Sequence, residues 1–180
     1  MKLKAIRLAP ITLCLFAATS SLHAAPLKDP CELPQKLGTE IATKYPGTKV
    51  VTLDDLTPDN QKFFQKDHGG NCPGLAKVDF YGDGSQTLAF VLVARTSAKE
   101  KSYLMVAHLV GTIWKIRMLD TDDGAPTPVV WAQPAGKYRD VDRGKEIQAT
   151  RPVIVFAGYE AFAIVYAWTG TGVSKVWIAD

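Results

Sequence analysis

From Leu75 to the C-terminus the chain is a succession of short apolar runs closed by glycine, proline or aspartate, and this punctuation limits the folds open to it. The runs cover Leu75 to Tyr81, Thr87 to Arg95, Ser102 to Gly111, Thr112 to Leu119, Pro128 to Trp131, Pro152 to Ala157, Ala161 to Trp168 and Val173 to Ile178. Within them residue types alternate: Ile113, Lys115 and Arg117 interleave with Trp114, Ile116 and Met118. In the same way Phe162, Ile164, Tyr166 and Trp168 interleave with smaller residues. A period of two puts each set on its own sheet face. Most connections are too short for a parallel crossover, so antiparallel pairing follows.

The segment before the strands reads differently. Leu33, Leu37 and Ile41 recur at helical spacing until Tyr45-Pro46-Gly47 stops them. After a short strand at Lys49 to Leu53, Thr57-Pro58 has the form of an N-cap and first turn, leading to Phe63 and Phe64 before Gly69-Gly70. The fold class expected is α+β: a curved antiparallel β-sheet or sandwich-like meander with two short N-terminal helices covering part of one face. With 180 residues, 47% of them apolar, one domain buries a core unaided. No period repeats along the chain.

Residues 1 to 24 have the pattern of a secretory signal peptide: cations at Lys2, Lys4 and Arg7, an apolar stretch from Leu8 to Ala18, and small residues before a cut after Ala24. Thr19, Ser20 and Ser21 end the apolar stretch short of the roughly 20 residues a membrane span needs. Residues 25 to 180 are then a single mature domain, periplasmic or secreted, with no transmembrane segment expected. The leader's three cations account for the formal net charge of +3, and the remaining 18 Lys and Arg balance 18 Asp and Glu. A nucleic-acid partner is not expected, because counterion release needs surplus positive charge. In an oxidising compartment the two remaining cysteines, Cys31 and Cys72, have one intramolecular connectivity, and a disulfide is expected. His68 beside Cys72 is too sparse a set for zinc.

The sharpest local motif is Asp79-Phe80-Tyr81-Gly82-Asp83-Gly84-Ser85-Gln86-Thr87-Leu88-Ala89. It resembles the Asp-x-Asn/Asp-Gly-Asp-Gly segment of FG-GAP or VCBS-type repeats, including the single-copy form found in small secreted bacterial proteins, where it joins two strands. A calcium loop would take Asp79, Asp83 and Ser85 as oxygen ligands with Gly84 at the bend. Tyr81 stands where a third ligand belongs, and Phe90 where an EF-hand places its glutamate. A hairpin turn using Gly82 and Gly84 at positive φ, capped by Asp83, is the preferred reading, and no cofactor is called for.

Candidate chemistry elsewhere is thin. His108 lies in an apolar run with no carboxylate placed opposite it by the sequence. Asp120, Asp122 and Asp123 could pair as carboxylates, and Asp120, Asp123 and Glu160 are the candidate acids for a hydrolase acting on wall or glycan material, but an acidic cluster at a strand end and a carboxylate at a hairpin tip read first as turn residues. No nucleophile elbow, zinc-protease helix motif or phosphate-binding glycine loop occurs. Between Trp131 and Arg151, aromatic and charged residues gather, including Gln133, Asp140, Asp142 and Glu146; Trp131, Tyr138, Arg139 and Arg143 are the candidate binding residues. The function expected is that of a small exported binding or inhibitor/immunity-type protein whose partner is a protein or envelope component. A carboxylate hydrolase and a calcium-stabilised structural module are the alternatives.

Overall fold

The computed structural model describes residues 29–95, 100–124 and 126–179; the leader and its cleavage site lie outside them. Among the described residues the order is α1 (Gln35–Lys44), β1 (Thr48–Val50), α2 (Pro58–His68), β2 (Leu75–Lys77), β3 (Thr87–Arg95), β4 (Glu100–Val110) and β5 (Ile113–Asp122). There follow β6 (Val129–Gln133), β7 (Gly136–Arg139), β8 (Glu146–Ala149), β9 (Val153–Gly158), β10 (Phe162–Trp168) and β11 (Val173–Ala179). None of the described helices is long and apolar enough to cross a membrane.

Every strand pairing is antiparallel. In the first sheet β1 and β2 lie end to end along one side of β3, followed by β4 and β5; the second runs β11-β10-β9-β6, and β7-β8 form a separate hairpin. The expected meander therefore holds for β3 to β5 and for β9 to β11, while β6 crosses to pair with β9.

The two sheets pack face to face, and period-two alternation decides what each strand buries. On β3, Ala89, Val91 and Val93 point into the core between the sheets, while Leu88, Phe90 and Leu92 point to the opposite face. There Leu37 and Ile41 of α1 cover them, together with Met105, Ala107 and Trp114. Strand β9 does the same: Ile154 and Phe156 face inward, and Val153 and Val155 face outward under the β7-β8 hairpin. A strand covered on both faces has no polar alternate, which is why β3 and β9 read as continuous apolar runs. The resulting layers are α1, first sheet, second sheet and hairpin.

Helix α2 has the ends its sequence specifies. Thr57 Oγ1 accepts from Asn60 N at 3.3 Å, Pro58 is the first helical residue, and Gly69, at φ 62°, caps the C-terminus by donating from its N–H to Gln65 O. Of its two phenylalanines only Phe64 enters the core; Phe63 remains 42% exposed. The Cys31–Cys72 disulfide is formed, bridging 41 residues, with Cys72 Sγ 3.5 Å from the carbonyl oxygen of Val51. Gly74 makes this packing feasible, since a Cβ there would sit 2.7 Å from Val51 N.

Candidate binding groove and the polar clusters around it

The candidate acids are placed apart. In β5 the pairing slips so that Met105 opposes Met118 and Leu104 opposes Asp120, leaving Leu119 as an extra residue. This bulge turns Asp120 toward the second sheet, where Tyr166 Oη and Lys175 Nζ both donate to its Oδ2. Burial opposes ionisation of Asp120, but Lys175, Tyr166 and the Thr121 N–H outweigh it and hold the carboxyl below its ordinary range. Burial, reinforced by that carboxylate, pushes Tyr166 far up. The trio locks β5 onto β10 and β11, with no proton poised for transfer near neutral pH.

Asp122 Oδ2 accepts from Gly124 N, and Asp123 lies 3.6 Å from Lys101 on the surface. Glu160 occupies the β9-β10 tip at φ 61°. From Phe162 to Tyr166 the strand advances roughly 13 Å, so Glu160 lies well beyond the roughly 5–10 Å separations of paired glycosidase carboxylates from the Asp120 site.

The segment Asp79 to Thr87 is a self-capped turn. Gly82 and Gly84 have φ of 66° and 74°; Asp79 Oδ1 accepts from Gly82 N, and Asp83 Oδ1 from Ser85 N. Asp83 Oδ2 lies 3.0 Å from His108 Nε2, and His108 Nδ1 lies 2.9 Å from Thr87 Oγ1. A carboxylate only accepts, so Nε2 carries the proton and, in the neutral ring, Nδ1 accepts from Thr87. The Ser85 N–H, followed by His108, keeps Asp83 below the ordinary carboxylate range. This hydroxyl–imidazole–carboxylate chain has the connectivity of a catalytic triad, but Thr87 is 2% exposed and its hydroxyl is closed to a substrate. The Tyr81 ring, 4.4 Å from His108 and 5.0 Å from Trp168, completes a rigid aromatic end to the core, and Arg151 Nη1 donates to Tyr81 O. The sequence named neither the carboxylate nor the hydroxyl that meet at His108.

For calcium, the donor set is short. Asp83 has both oxygens engaged, one Asp79 oxygen holds Gly82, and the Tyr81 side chain turns into the aromatic stack, where six to eight oxygens are needed. Among the described residues no group of three or more His, Cys, Asp or Glu forms a metal cage.

The candidate binding residues are divided by the fold. Tyr138 sits on β7 against the outer face of the second sheet and donates to Pro134 O. Arg139 ends the same strand, exposed; Gln133 ends β6 and Glu146 begins β8, 3.3 Å from Lys137. Asp140 is buried, with Oδ1 accepting from Asp142 N and Arg143 N and Oδ2 from Trp177 N, so the turn carrying Arg143 is pinned against the edge of β11. The Arg143 N–H, foremost among these, keeps Asp140 below its ordinary range.

Trp131 packs on the same outer cluster as Tyr138, but its ring also reaches the edge of the sheet, to His68. On the side where β2 and β6 are the edge strands of their sheets, Val130 N donates to Pro73 O at 2.8 Å, and beyond this link a groove of about 460 Å³ opens. Phe64 and His68 lie four apart on α2 and therefore share a face. The His68 ring is wedged between Phe64 and Trp131, with centroids 4.8 and 4.9 Å away. Pro30, Lys77 and Ala132 stand in the same wall. Burial pushes the His68 pKa down, keeping the ring neutral, and neither ring nitrogen has a hydrogen-bond partner among the described residues. A second opening, of about 470 Å³, lies beside Phe63 and Tyr159, whose ring centroids are 6.0 Å apart.

Arranged this way, the groove can hold an apolar or aromatic group against Trp131 while a polar atom meets the imidazole. Comparison with protein-family models, with curated proteins and with solved structures found no match to this chain.

Proposed function

We propose that this chain is an exported binding protein, working in the periplasm or beyond the cell, which recognises a protein or envelope component through the groove between α2, β2 and β6. The observation that carries the reading is the wedged imidazole of His68: a neutral, unpartnered hydrogen-bonding ring held between Phe64 and Trp131 at the mouth of a concave site. A leader of secretory pattern and the Cys31–Cys72 disulfide support the compartment. The roles that suit such a chain are inhibition of a wall-acting enzyme or immunity to a delivered toxin. Catalysis by Asp120 with Asp123 and Glu160 takes no part, since Asp120 is committed to Tyr166 and Lys175. Calcium at Asp79, Asp83 and Ser85 takes no part either.

The test is quantitative capture from envelope extract with the processed protein, with Trp131→Ala, and with Arg139→Ala as control. A component enriched by the parent and by Arg139→Ala but lost with Trp131→Ala supports the proposal. Equal enrichment by all three, or none by any, overturns it. For calcium, a rise in Tm on adding the ion to chelated protein would overturn the metal-free reading.

A further inference from the structure

The β4-β5 ladder ends in a two-residue turn, Gly111-Thr112, across which Val110 and Ile113 are paired. Paired strand residues project to one face, and these two are 50% and 60% exposed. The next pair inward on that face is His108 with Lys115, followed by Val106 with Arg117. His108 is turned to Asp83, whereas Lys115 and Arg117 are exposed with no acidic group within 4.0 Å among the described residues. The hairpin therefore ends in two bare aliphatic side chains with a cation about 7 Å behind Ile113 and another about 13 Å behind it.

We propose that this tip docks on an anionic bilayer, with Val110 and Ile113 entering the headgroup–acyl boundary and Lys115 and Arg117 meeting lipid phosphates. The spacing suits it: interfacial insertion reaches about 5–10 Å, which brings Lys115 to phosphate depth, and an arginine side chain at Arg117 is long enough to reach forward to the same level. Charge complementarity also selects the occupant. The chain beyond residue 24 is formally neutral, so this pair of unpaired cations is a local feature and not the overflow of a basic protein. Two aliphatic side chains are too little surface for a protein interface of about 800 Å² per partner, whereas combined apolar and basic signals are what reversible membrane attachment requires. A second copy pairing along β5 is opposed by the Leu119 bulge and by the strand's own cations, devices that interrupt edge pairing. The site is separate from the groove, which lies on the opposite edge of the first sheet.

The experiment is vesicle co-sedimentation of the processed, disulfide-bonded protein with pure phosphatidylcholine or with phosphatidylglycerol mixed into phosphatidylethanolamine. Binding is expected to the anionic vesicles alone. It should fall about tenfold or more with Lys115→Gln/Arg117→Gln, and similarly with Ile113→Asp, and weaken in about 0.5 M salt. The substituted side chains are exposed, and unchanged melting curves establish that the variants fold. No binding to anionic vesicles, equal binding to both kinds, or binding indifferent to both variants would overturn the proposal, as would a dimer in solution that Ile113→Asp dissociates. Loss of Trp131-dependent capture leaves this result untouched, so the two proposals fail separately.

Discussion

At Gly74 the absence of a side chain is a packing requirement, because the backbone of Val51 passes where a Cβ would be. Gly74→Ala should lower unfolding stability by about 3 kcal/mol, the scale of a forced shift in a tight interior. Urea denaturation checks it; a loss under about 0.5 kcal/mol would mean the backbones slide apart freely. Tyr166 makes a paired prediction. Asp120→Ala leaves a buried hydroxyl without its acceptor and should cost about 2 kcal/mol, and Tyr166→Phe added to it should cost little more, since the two share one interaction. Additive losses would contradict the assignment. Residue chemistry was readable where it is local: the Thr57-Pro58 cap, the Gly69 stop and the Gly82 and Gly84 turn all follow from side-chain type. Asp120 was not, because a bulge at the neighbouring Leu119 decides its direction, its partners come from the other sheet, and no local pattern announces the slip.

Among the elements, α2 gains its position from Phe64 and its exposure to pH from His68. Burial lowers the folded-state pKa of His68 below its ordinary 6.5, so the folded protein binds this proton less readily than the unfolded chain. The contribution is present above pH 6.5 and is lost as pH falls through the lowered folded value. The urea midpoint should therefore drop on acidification from about pH 7.5 to about 5.5, and His68→Phe, which keeps a ring in the stack, should flatten that drop. An identical drop in both proteins would contradict it. The disulfide ties the start of α1's segment to the start of β2's, closing a loop of 41 residues; replacing both cysteines with serine should cost about 4 kcal/mol at most. Its pairing was legible because only one connectivity was left. The β7-β8 hairpin was not: each strand is four residues long, and Lys137, Arg139, Glu146 and Gln148 face solvent, so the segment reads as a polar connection.

For the molecule as a whole, the α+β class and antiparallel pairing were written in the period-two runs, since alternation and short turns are enforced by backbone geometry. What the sequence left unsaid is which faces meet. Leu88 and Ala89 look alike in a hydropathy reading yet serve different cores, one under α1 and one between the sheets. The groove is of the same kind. Phe64 and His68 share a helical face by spacing, but Trp131 arrives from the far sheet, where the link of Val130 to Pro73 helps hold β6 beside β2. Recognition through that edge is tested most directly in the native envelope, by a photo-crosslinking residue at Ala132, exposed on the groove wall. A discrete adduct is expected from Ala132 and none from the same residue placed at exposed Arg139; no adduct at Ala132, or the same adduct from both positions, would contradict recognition at this edge.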